Sequence, residues 1–290
     1  MTPAMSGERR SSQGGKRTVA TEDALQRARM ALDQRRPDEA VRIALTLLAK
    51  DPNEPRVLHV LGLGLLLQGR PAEAVRPLEE AARDRTDPVI ETHLAVALRQ
   101  TGRTADALTW LQRATTRQPA FPMAFHELGV LLFSQRRLEE AETVVRRGLD
   151  AAPAMPDLLV LLGGILLDRG DRPNAKAAFA RALANASQHP GALYGLGAAL
   201  MDDGEFARAA ERHRQALARD PTYVQARVSL GSCLLELGQR EAALSHLRTA
   251  AAGSPQFYGK ALRALVTSAH GQFWLKPSAA AAFLKSGDKS

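Results

Sequence analysis

The chain repeats itself every 34 residues, and that one property leaves few folds open to it. Residues 190–223 show the unit most clearly. Leu193, Leu196, Gly197 and Leu200 recur on a helical period. Gly204 ends that helix, because glycine enters the left-handed turn without a Cβ clash. A second helix follows with Phe206, Ala209, Ala210 and Ala216 as its apolar and small stripe, and Pro221 closes it. Gly197 and Ala209 let two helix backbones approach where leucine would hold them apart. Such a hairpin is apolar on both sides and cannot bury itself alone, so it needs a copy above and a copy below.

The register is nearly constant. The small residue of the first helix falls at Ala28, Gly62, Ala95, Gly129, Gly163, Gly197 and Gly231. Leucine precedes it in all but the first repeat, and leucine follows three residues later from Leu65 to Leu234. The turn glycine recurs as Gly69, Gly102, Gly170, Gly204 and Gly238, with Arg136 as an exception. The second-helix alanine recurs as Ala40, Ala74, Ala107, Ala141, Ala175, Ala209 and Ala243. The closing proline is Pro52, Pro119, Pro153, Pro221 and Pro255, and slips to Pro88 and Pro190 in the other two repeats.

A helix-turn-helix of 34 residues with these residues at these offsets resembles the tetratricopeptide repeat. The resemblance covers residues 21–257 as seven repeats. It implies an all-α fold, a right-handed superhelical solenoid of antiparallel helix pairs. It also implies a capping helix, placed here at residues 258–271. The first repeat departs most, with Arg27-Ala28 where the others carry Leu-Gly or Leu-Ala, as suits a terminal repeat.

The resemblance further implies that first helices line a concave groove, with the positions one and four residues after the repeat glycine pointing into it. Here these include Leu63, Val96 and Arg99, Val130 and Phe133, Leu167, Met201 and Leu235. One residue further on stand Asp168, Asp202 and Glu236. An apolar floor with an acidic edge suits a peptide or helical segment that is apolar with a few basic groups. Some members of the family hold acidic C-terminal tails through Lys and Asn on this face. These positions offer neither, so that specificity is not carried over.

Composition agrees with an all-helical chain: aromatics are 4% and the net charge is +8. The charge sits at the ends, +3 on residues 1–20 and +4 on residues 256–290, leaving +1 for the body. A near-neutral body and few aromatics argue against nucleic-acid binding, which wants a basic face and stacking rings. Residues 1–20 lack periodicity and are expected to be a disordered tail. No secretory leader or membrane span is visible, and the lone Cys233 fits a reducing compartment, so a soluble cytoplasmic protein is expected. Residues 272–290 form an apolar and basic tail. Its Phe273, Trp274 and Leu275 are expected to dock on the groove, the terminal helix or a partner, and Pro277 to open a short Ala-rich helix.

Motifs for chemistry fail on inspection. Gly14-Gly15-Lys16 lacks the upstream glycine and the Ser or Thr of a phosphate loop. His126-Glu127 begins a metalloprotease motif, but Val130 stands where the second histidine belongs. His59, His93 and His126 recur on first helices, with neighbours expected about a helix-pair spacing apart, too far to share one metal. His213 replaces a large apolar residue of the repeat. No catalytic, metal or cofactor site is therefore expected. The expected function is a non-enzymatic protein-binding scaffold. The alternative is an accessory subunit of a glycosyltransferase- or sulfotransferase-type partner, since the residues after the last repeat are too few for a catalytic domain. Self-association through the apolar terminal faces stays open.

Overall fold

The computed structural model describes residues 8–83, 86–253, 255–266 and 276–285, and among these it has sixteen helices and no strand. The chain is an all-α repeat solenoid. The first repeat is α1 (Glu8–Asp33) and α2 (Pro37–Leu48). The second is α3 (Pro55–Leu67) and α4 (Pro71–Ala82), and the third α5 (Pro88–Gln100) and α6 (Thr104–Ala114). Then come α7 (Pro122–Ser134) and α8 (Leu138–Ala151), α9 (Pro156–Asp168) and α10 (Arg172–Asn185). The sixth and seventh repeats are α11 (Pro190–Asp202) with α12 (Phe206–Arg219), and α13 (Val224–Glu236) with α14 (Arg240–Gly253). Two more helices follow, α15 (Pro255–Val266) and α16 (Pro277–Lys285). Helix α1 begins at Glu8, within the stretch that carries no apolar periodicity. Pro88, Pro190 and Pro255 each open the next helix, where a missing N–H costs nothing.

Every first helix of the seven repeats ends in the same way. The residue at the turn takes a positive φ, from 72° to 83° at Gly69, Gly102, Gly170, Gly204 and Gly238. The next N–H then reaches back to the helix, as Arg70 N to Leu65 O at 2.9 Å and Glu205 N to Leu200 O at 2.9 Å. Two arginines adopt the same conformation, Arg35 at φ 55° and Arg136 at φ 61°. A side chain there costs roughly 1–2 kcal/mol, part of which glycine gives back by loosening the unfolded chain. Arg35→Gly is therefore expected to stabilise the protein by about 0.5–1 kcal/mol. A lower melting temperature for this variant would contradict the account.

The described structure comprises two compact units, one ending at Leu131 and the other beginning at Leu132. In the first, α3 and α5 each pack on their own second helix and on both helices of the repeat before: α3 meets α4, α2 and α1, and α5 meets α6, α4 and α3. Glu91 on α5 is fully buried here, and its carboxylate accepts from Arg113 at 3.2 Å and from Arg117 at 2.9 Å.

In the second unit the same pattern runs from α8 to α16. The position of a Cβ on each repeat glycine is already occupied by the large residue of the facing second helix. Leu247 stands 2.7 Å from that point at Gly231, and the Phe179 ring 2.6 Å from it at Gly163. The end of the core is covered by two helices rather than one. Helix α16 packs on α14 and α15, out of phase with the 34-residue step, and buries Ala280 and Leu284. The Arg248 guanidinium lies 4.1 Å from the Phe283 ring centre, and the Tyr258 hydroxyl donates to Ala281 O at 3.3 Å. Cys233 is buried in this core, and burial pushes its thiol pKa up to about 12, so it is a packing residue.

Candidate functional site

The residues expected to line a groove all stand on first helices, and the two units treat them differently. In the first unit Leu63, Val96, Arg99 and Val130 are half-buried, so each keeps part of its side chain at the surface. Polar groups are interleaved with them. Arg99 donates from Nη2 to Glu127 at 3.2 Å, and His126 Nδ1 stands 3.5 Å from the same carboxylate. Burial works to raise the Glu127 pKa, but the neighbouring His126 and Arg99 outweigh it, and the net shift is downward. Arg99 Nε and His126 Nδ1 are solvent-excluded without a hydrogen-bond partner.

The histidine spacing needs a correction. His59 and His93 do not stand a helix-pair apart: His59 Nε2 and His93 Nδ1 are 2.8 Å apart and share a hydrogen bond. The backbones of α3 and α5 are packed, and two imidazoles reaching toward each other close the remaining gap. His93 also stands one residue later in its repeat than His59, two before Ala95 against three before Gly62. Among the described residues no group of three or more His, Cys, Asp or Glu could hold a metal ion.

In the second unit Phe133, Leu167 and Met201 are half-buried. Gly164 stands on α9, one residue after Gly163, and an added Cβ there would meet nothing within 4 Å. The floor here is open, in contrast to the neighbouring Gly163. Leu235 differs from its expected place: at 2% exposure it belongs to the core packed by α13, α14 and α15, and cannot meet a ligand. That core also contains Phe257, Ala261 and Leu265 of α15, which follows the seventh repeat.

The acidic edge is largely satisfied from within. Asp168 is exposed and ion-paired with Arg136. Asp202 is exposed as well, and its backbone carbonyl accepts from Arg172 at 3.0 Å. Burial of its carboxyl raises the Asp202 pKa, against the pull of Arg172. The adjacent Asp203 accepts from Lys176 at 2.5 Å and from Arg172 at 3.2 Å, and the Lys176 bond draws its pKa down. Glu236 is half-buried. Phe273, Trp274 and Leu275 lie outside the described residues.

His213 sits directly behind this face. It is fully buried, its ring covers Gly197 with Cε1 2.6 Å from the Cβ position, and its Nε2 lies 3.4 Å from Met201 Sδ. Tyr194, on the same helix as Met201, tilts against it with ring centres 5.6 Å apart. The Nδ1 atom has no partner. Burial alone depresses the His213 pKa to about 4.

Sequence reading overlooked a set of polar links between repeats. Arg56 pairs with Glu22 at 3.0 Å, Arg103 with Glu79 at 3.1 Å, and Arg169 with Glu142. The signal was present, since Glu22 and Arg56 are separated by the repeat length itself. The first two pairs are exposed, so they set orientation more than stability. Among the described residues no helix is long and apolar enough to cross a membrane.

Family models described as tetratricopeptide repeat match residues 25–88, 93–156 and 160–212, and a second such model matches residues 200–266. No curated protein matches the sequence. Among solved structures, this chain is similar to one in the APC/C hetero-tetramer Cut9–Hcn1. The TM-score is 0.73 at 17% identity, over 82% of this chain and 48% of that one, so this chain spans about half of its length. A tetratricopeptide repeat protein from Parabacteroides merdae superposes with a TM-score of 0.65 at 16% identity, over 84% of this chain and 99% of that one. PilF of Pseudomonas aeruginosa gives 0.61 at 19% identity, over 71% and 95%. At these identities the likeness is one of fold.

Proposed function

Since the chain belongs to the tetratricopeptide repeat family, we propose that it is a non-catalytic scaffold whose first-helix faces hold a peptide or helical segment of another protein. The observation that carries this reading is the open space at Gly164 on α9, with the half-buried apolar Leu167 three residues on and the half-buried Met201 at the equivalent position of the next first helix. A solvated helix face would carry long charged side chains there instead. The segment it fits is chiefly apolar. Basic groups contribute less than the acidic edge alone implies, because Asp168 and Asp203 already have Arg136, Lys176 and Arg172 as partners.

Gly164→Trp tests this directly. With nothing within 4 Å of the Cβ position, a side chain can start there without a clash, and the indole is expected to occupy the open space. Affinity capture from host lysate is expected to lose the proteins that wild type retains, and Met201→Glu is expected to lose the same ones, with circular dichroism unchanged in both. Retention of every captured protein by both folded variants would sink the reading.

A further inference from the structure

We propose that His59 and His93 form a proton-operated clasp between the first helices of two successive repeats, closed while the pair carries at most one added proton and open when both rings are charged. The proposal does not depend on what the first-helix faces bind.

The geometry carries it. The ring centres are 5.0 Å apart with planes inclined by only 22°, and the facing nitrogens are 2.8 Å apart. So short a nitrogen separation takes up much of the distance between centres, so the rings meet edge to edge in one N–H···N bond rather than face to face. A neutral imidazole has one N–H and one lone pair. One ring donates and the other accepts, so a neutral pair makes the bond in two of its four tautomer combinations: both rings protonated on Nε2, with His59 donating, or both on Nδ1, with His93 donating. A first added proton enters at the outer nitrogen of the donating ring. That ring becomes an imidazolium whose inner N–H still points at a neutral acceptor, and the bond is charge-assisted and stronger. A second proton must enter at the accepting nitrogen. Two N–H groups, each on a cation, then face each other at a hydrogen-bond distance, and the contact turns from attractive to repulsive.

The surroundings decide where on the pH scale this happens. Burial opposes charge on both rings and is the largest influence on each. Asp87 at the start of α5 favours charge on both, and Glu127 on α7 favours it on His93, whereas Arg29 on α1 disfavours it on His59. His59 itself disfavours charge on His93, whose pKa is lowered to about 4. The second protonation therefore falls in the acidic range, well below that of an ordinary histidine. What opens is the contact between α3 and α5, the helices that carry Leu63, Val96 and Arg99. Acid thus loosens one inter-repeat joint, whereas the other joints of this unit contain no such pair among the described residues.

The test is nitrogen-15 NMR of the imidazoles in the full chain from about pH 7.5 to about pH 3.5. It is run in a His213→Leu background so that the other buried histidine does not contribute. The expected result is two separate protonation steps for the pair. The second is accompanied by about a tenfold or greater loss of amide-exchange protection in α3 and α5, corrected for intrinsic rates. In His93→Gln, which keeps a hydrogen-bonding partner but cannot titrate, the acid loss of protection is expected to vanish. Independent titration of both rings near the ordinary histidine value, or the same loss of protection in His93→Gln, would overturn the proposal.

Discussion

Phe179→Ala is expected to remove about 3–5 kcal/mol from the stability of the second unit, the largest single effect predicted for this protein. The ring is 2% exposed and occupies the space that glycine leaves on two first helices at once. A Cβ at Gly163 would stand 2.6 Å from it, and one at Gly195 would stand 2.2 Å away. Those two glycines belong to α9 and α11, so one aromatic ring joins a repeat to its successor. The alanine variant leaves a cavity that the two helices cannot both close. The converse change tests the same contact. Gly195→Ala forces the ring aside and is expected to cost about 1–3 kcal/mol, the usual range for an overpacked core. Gly164→Ala, one residue from Gly163, should instead gain about 0.5–1 kcal/mol, because it meets nothing and only improves helix propensity. Urea melts of the three variants decide the matter. Similar losses for Gly195→Ala and Gly164→Ala would show that Phe179 does not hold the two repeats together.

His213 is expected to make the second unit acid-labile by roughly 3 kcal/mol. Its folded pKa, about 4, lies below the ordinary value of 6.5, so the native state resists a proton that the unfolded chain accepts. Stability is therefore full above about pH 6.5, falls as the pH drops, and is wholly lost to this residue below about pH 4. His213→Leu places an apolar side chain where Leu78 and Leu247 stand in other repeats. It also removes a buried nitrogen that has no partner. The variant is expected to be about 1 kcal/mol more stable at neutral pH and to lose this portion of the acid sensitivity. Denaturant melts of both proteins at several pH values between about 7.5 and 4 measure it. Carboxylates lower the stability of both alike, so the difference between the proteins is the informative quantity. Parallel curves would mean that the imidazole is not held neutral.

Much of this architecture was legible in order of residues alone, and the reason is visible at particular positions. A glycine or alanine recurring seven times at a nearly constant step, and followed three residues later by leucine in six of the seven, marks the same face of seven helices. The turns followed as well: five glycines at the expected positions take a positive φ. Arg136, noted as an exception, keeps the turn conformation and bears its strain, and Arg35 does the same. The helix beginning at Pro277 was legible from its proline and alanines, but its docking on α14 and α15 was not. The candidate site was read less well. Leu235 has the periodicity of its counterparts Leu167 and Met201, yet it is buried in the core at the end of the array. The acids at 168 and 202 were visible as an edge, whereas the cations that meet Asp168 and Asp203 come from turns and second helices elsewhere in the register.

By itself the sequence determined the repeat length, the helix pairs, their turns and which side of each helix is apolar. These follow from local rules: the 3.6-residue period, the left-handed conformation open to glycine, and the hydrogen bond that proline lacks. Only the tertiary structure decided which small residue is pressed against a ring and which faces open space. Gly163 and Gly164 are identical in kind and adjacent in sequence, and Phe179 stands over one of them alone. It also decided that His59 meets His93 end to end and that His213 is sealed from water. Periodicity places a side chain on a face, but contact between repeats depends on how closely two backbones approach, a distance set by every side chain packed between them.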